Sequence, residues 1–101
     1  MIKYELTVIL PVDIKEEDKR LVRSIIEDGE LNCVSEEDEG EKTLAYSIQG
    51  HERGRYVYYT LMPIHGHTPR PRLIEERLHQ ESRALRFLLV NRIINEEDLN
   101  N

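Results

Sequence analysis

The chain has 101 residues, a mass of 12.0 kDa and a formal net charge of −6, enough for one domain with one core and too little for two. No apolar run approaches the roughly 20 residues that cross a bilayer, and the opening Met1-Ile2-Lys3-Tyr4-Glu5 lacks the basic and long apolar regions of a secretory signal. Cys33 is the only cysteine, which excludes an internal disulfide and leads to the expectation of a reducing, intracellular setting and a buried, inert thiol.

The charge is unevenly spread. Residues 1–41 carry a net of −8, residues 42–94 a net of +5 and the last stretch, with Glu96, Glu97 and Asp98, a net of −3. Arginine supplies almost all the positive charge of the second half, and its planar fork suits phosphates and carboxylates better than lysine does. On charge alone, a surface for nucleic acid or an acidic partner and simple solvation of helix and strand ends both stay open.

In chain order, residues 2–10 alternate Tyr4, Leu6, Val8 and Leu10 with Lys3, Glu5 and Thr7, the period of a strand with one apolar face. Pro11 stops it. Asp13 is the expected cap of the first helix, with Glu16 completing an acidic first turn; Ile14, Leu21, Val22, Ile25 and Ile26 form its apolar stripe, and Gly29 suits its end. Leu31, Cys33 and Ser35 open a second strand, followed by four acids, Glu36 to Glu39, read as a solvated or edge segment. Gly40 predicts a bulge or bend, after which Leu44, Tyr46 and Ile48 continue the strand on one face.

Residues 49–54 read as a turn and 55–62 as the third strand, with tyrosines at 56, 58 and 59. A second helix is expected to start near Pro69 or Pro71, because proline is tolerated in a first helical turn, and to run through Leu73, Ile74, Arg77 and Leu78. Residues 84–92 read as the last strand. Its Phe87-Leu88-Leu89-Val90 core is apolar on both faces, the pattern of a central or well-covered strand. The order βαββαβ predicts an α+β, ferredoxin-like split-βαβ fold: a four-stranded antiparallel sheet with two helices on one face, in one domain over residues 1–94. Residues 95–101 are expected to be a flexible acidic tail.

Catalytic groups are not evident. The serines lack a nucleophile-elbow context, and His65 and His67 form a pair without a third metal ligand. Of Tyr56, Tyr58 and Tyr59, at most two share a sheet face, and no basic-Gly-aromatic motif surrounds them, so stacking on RNA is only weakly indicated against ordinary packing. No catalytic residue, metal or cofactor is expected.

Several segments nevertheless combine into one pattern: Tyr4-Glu5; Gly40, Lys42, Leu44, Ala45, Tyr46 and Ile48; Gly54-Arg55-Tyr56; and Leu85-Arg86-Phe87-Leu88-Leu89-Val90. Over residues 2–94 the chain resembles the bacterial-type S6 family of small-subunit ribosomal proteins. The resemblance implies a non-enzymatic constituent of a cytoplasmic or organellar ribosome that binds small-subunit ribosomal RNA in the central domain together with ribosomal protein S18. It places Lys3, Tyr4, Lys42 and Arg86 at family positions near RNA or partner; Arg53 and Arg92 join them here on charge and expected exposure.

The chain departs from that pattern where Glu39 and Glu41 flank Gly40, where Ser47 replaces a frequent proline, and where basic residues near the start and in the last strand are thinner than usual, with Ile2 and Phe87 in the flanking positions. Fewer phosphate contacts predict weak RNA binding without the partner. The second strand's edge, guarded by Glu36 to Glu39, leaves Leu44, Tyr46 and Ile48 as the expected docking edge for that partner. The alternative, a ferredoxin-like dimeric small-molecule enzyme or sensor, requires a polar cavity, which Leu6, Val8, Leu21, Ile25, Leu61 and Leu88 are expected to fill.

Overall fold

The computed structural model describes residues 2–93. Alternating burial along β1 (Ile2–Leu10) sends Tyr4, Leu6, Val8 and Leu10 to one side, where α1 (Glu16–Asp28) and α2 (Pro71–Gln80) cover them. β2 (Leu31–Ile48), β3 (His51–Pro63) and β4 (Arg86–Ile93) complete an antiparallel sheet in the order β2-β3-β1-β4. This is the ferredoxin-like architecture. Proposals about the tail fall on residues outside those described.

Val22, Ile25 and Ile26 of α1 and Ile74 and Leu78 of α2 meet Leu6, Val8, Val57, Tyr59 and Leu61 in the main core. No polar or charged residue is buried among the described residues, and the core between helices and sheet is packed with hydrocarbon and aromatic side chains. Leu88, expected to help fill it, lies on the other side of the sheet.

α1 starts two residues later than Asp13 capping predicts. Lys15 takes the capping position, and its backbone N–H donates to the Asp18 carboxylate at 2.9 Å, half of a capping box. Asp13 instead pairs with Arg83 at 3.1 Å. α2 begins at Pro71, as expected.

β2 is one strand of 18 residues with three breaks in register, between Cys33 and Ser35, Asp38 and Glu41, and Thr43 and Ile48. The middle break is at Gly40, whose φ of 82° lies in the left-handed region that a bulge glycine fills. The turn to β3 is shorter than the sequence suggests: only Gln49 and Gly50 lie outside the strands, with φ of 50° and 82°, the paired left-handed conformation of a tight hairpin. Gly54 therefore sits inside β3. An added Cβ there would come within 2.7 Å of Ile9 Cγ2, so the glycine serves close packing, not turning.

Candidate RNA and protein interface

The helices cover one face of the sheet, and the other is open. Register fixes its rows. Tyr58, Thr7 and Leu88 lie side by side, as do Thr60, Glu5 and Val90, and Lys3 stands beside Arg92. At the other end of β1, Ile9 lies between Tyr56 and Arg86. Leu88 is 62% and Val90 37% exposed. β4 is thus an edge strand with one uncovered face, not the covered strand its composition suggests; Phe87 and Leu89 alone face the core.

At the hairpin end, Leu44 and Ile48 turn in and bury themselves with Leu85 against Ile9 and Tyr56. This second cluster was not legible in the sequence, because strict alternation puts Leu44, Tyr46 and Ile48 on one surface. The last break in β2 places five residue steps opposite two of β3, and Tyr46 swings out to 67% exposure. Of the expected docking trio, only Tyr46 presents itself; Leu44 and Ile48 are occupied.

The cationic candidates fall into two groups. Lys42 lies with its Nζ 5.4 Å from the Tyr56 ring centroid, within cation–π range. Close by on the hairpin, Arg53 pairs with Glu41 and donates to Thr43 Oγ1 at 3.3 Å. In the β1/β4 group, Lys3 reaches Glu5 at 3.3 Å and Arg92 reaches the same carboxylate at 3.7 Å. Arg86 is exposed and makes no ion pair among the described residues. Tyr4 does not join either group. At 7% exposure it belongs to the core, so its ring offers no stacking face. Among the β3 tyrosines, Tyr56 and Tyr58 share the open face and Tyr59 is buried, its hydroxyl without a hydrogen-bond partner among the described residues. Burial pushes the Tyr59 phenol well above its ordinary pKa.

The acidic run is not uniformly solvated. Glu36 accepts from Arg23 at 2.7 Å, and Arg23 also holds Glu16 at 3.0 Å. Asp38 accepts from Lys19 at 2.7 Å, from Arg55 at 2.8 Å and from the Gly40 N–H at 2.8 Å. Partial burial opposes its charge, but these donors outweigh that cost and hold the carboxyl at a pKa of about 2. Alternation leaves Glu37 and Glu39 outside this network. Neither makes an ion pair among the described residues.

Chemistry is not supported elsewhere. Burial and the neighbouring Glu36 raise the half-buried Cys33 thiol above its usual pKa, which disfavours thiolate. His67 pairs with Glu30 at 2.6 Å, and the described residues contain no group of three or more potential metal ligands. No helix of the described chain is long and apolar enough to cross a membrane.

Comparison with known proteins fits this arrangement. The family model described as ribosomal protein S6 matches residues 3–91. The chain is 34% identical over 95 residues to the small ribosomal subunit protein bS6 of Trichlorobacter lovleyi, covering 90% of this chain and 75% of that one. It is also 34% identical over 97 residues to bS6 of Pelobacter propionicus, covering 90% and 71%. In fold it is similar to the crystal structure of 30S ribosomal protein S6 from Thermotoga maritima, with a TM-score of 0.71 at 22% identity, over 97% of this chain and 90% of that one. The chain therefore belongs to the ribosomal protein S6 family, structural and non-enzymatic constituents of the small ribosomal subunit.

Proposed function

We propose that this protein binds small-subunit ribosomal RNA in the central domain together with ribosomal protein S18, on a cytoplasmic ribosome and without a cofactor. The observation that carries the reading is the open sheet face, rimmed by cations at both ends: Lys42 over Tyr56 with Arg86 in the same row at the hairpin end, and Lys3 beside Arg92 at the other. Phosphates are the natural counter-charge for such a rim, and Tyr56 and Tyr58 add aromatic surface between its ends. Tyr46, exposed at the hairpin, suits an aromatic anchor against a protein partner.

The same geometry supports weak RNA binding by the protein alone. Glu5 is shared by Lys3 and Arg92, and Glu41 occupies Arg53; each internal carboxylate competes with a phosphate for its cation. A filter-binding titration against central-domain RNA tests the reading, with and without S18. Tight binding with both proteins and weak binding by either alone supports it. Absence of RNA binding with S18 present, or failure to co-sediment with small subunits after a moderate salt wash, overturns it.

A further inference from the structure

The two edges of the sheet are built differently. β2 carries three register breaks and four consecutive acids, devices that discourage another strand from pairing. β4 carries none of them. Its pairing with β1 runs unbroken from Ile2↔Ile93 to Ile9↔Arg86, so the strand is regular, and Phe87-Leu88-Leu89-Val90 holds no charge, proline or glycine. The outer backbone of β4 is therefore a regular template for one more strand.

Side chains on both faces of that edge add to the backbone. On the open face, Leu88 and Val90 are exposed between Arg86 and Arg92. On the helix side, Leu89 and Asn91 line a groove of about 440 Å³ with Tyr4, Pro71 and Glu75. The arginines share a face and lie six residues apart, roughly 20 Å along a strand.

We infer that the β4 edge is a strand-addition site for an extended segment of a partner protein, apolar in its middle and acidic at both ends. Main-chain hydrogen bonds supply affinity in this mode and alternate side chains supply specificity. Arg86 and Arg92 select the acids, and Leu88 and Val90 select the apolar residues between them. A second copy of this chain fits poorly. Two antiparallel β4 strands related by a twofold axis at Leu89 set Arg86 of each copy opposite Arg92 of the other, and like charges directly opposite are destabilising. The β2 edge of another copy is broken in register. The inference goes beyond the reading above: it concerns a further, acidic partner at the opposite edge from Tyr46, and its test uses no ribosomal component, so either can fail without the other.

The probe is a soluble peptide with Glu at its first and seventh positions and Val at its third and fifth, compared with the same peptide carrying Lys at the first and seventh. The read-outs are amide hydrogen exchange and fluorescence anisotropy with the intact protein. The expected result is slowed exchange confined to alternate amides of β4, with binding about tenfold tighter for the Glu peptide than for the Lys peptide at low salt. Leu88→Glu is expected to abolish the effect while leaving the thermal midpoint unchanged, because the side chain it replaces is exposed. Equal binding of both peptides, protection on β2 instead of β4, no protection at all, or a dimer in sedimentation equilibrium that Leu88→Glu dissolves would each overturn it.

Discussion

Lys19 of α1 and Asp38 of β2 meet at 2.7 Å and tie the first helix to the edge strand beside the Gly40 bulge. Because Arg55 of β3 donates to the same carboxylate at 2.8 Å, one ionised group joins three elements. Its folded pKa of about 2 lies below the ordinary value of 3.8, so the native state favours the deprotonated form. The stabilisation is complete above about pH 5 and is lost as pH falls toward 2, worth about 2 kcal/mol. Asp38→Asn is expected to lower the thermal midpoint at neutral pH by about 5 °C and to flatten the acid limb of stability. Scanning calorimetry from neutral to acid pH checks both.

The other acids of the run separate by parity. Glu37→Lys with Glu39→Lys removes no ion pair and is expected to leave stability within about 0.5 kcal/mol, while slowing association with a basic partner such as the proposed S18 at low salt. Glu36→Lys breaks its 2.7 Å contact with Arg23 and is expected to cost about 1 kcal/mol. Stopped-flow association and urea melts of the two variants distinguish docking from structural acids. Unchanged kinetics at low salt for the double variant would refute the docking role.

The hairpin end depends on the small cluster of Leu44, Ile48 and Leu85. Leu44→Ala is expected to destabilise by about 2 kcal/mol and to speed amide exchange around the tip more than in β1. Gly54→Ala meets Ile9 Cγ2 at 2.7 Å and Leu44 Cδ2 at 3.2 Å, so about 1–3 kcal/mol of overpacking cost is expected from one methyl group. Residue-resolved exchange and denaturant melts measure these effects.

For RNA, Lys42→Ala and Arg86→Ala are each expected to weaken binding by the protein–partner pair and to reduce the salt slope by roughly one unit per lost phosphate contact. Glu41→Gln is expected to strengthen binding, since it frees Arg53 from its internal acceptor. Tyr4→Phe is expected to leave RNA affinity unchanged because the ring is buried. Filter binding at several salt concentrations gives every slope.

β1, the Pro71 start of α2 and the bend at Gly40 were legible because local rules decide them: alternation, a first-turn proline and a glycine at a left-handed φ. What the sequence hid depends on tertiary partners. Glu36 and Asp38 read as solvent-facing until α1 brings Arg23 and Lys19 to them. Leu88 and Val90 suggest a covered strand, yet sheet order leaves β4 at the margin. Gly54 looks like a turn residue, and only the approach of Ile9 shows otherwise. Among the interface candidates, Lys42, Arg53, Arg86 and Arg92 lie at the surface, whereas Tyr4, Leu44 and Ile48 turned inward because apolar bulk finds a core where one is within reach.

The three slips in register along β2 also limit how such molecules can aggregate. A fibre of stacked subunits needs two matching, continuous margins on every copy. This sheet has one, so joining by main-chain pairing ends after a single event and does not propagate.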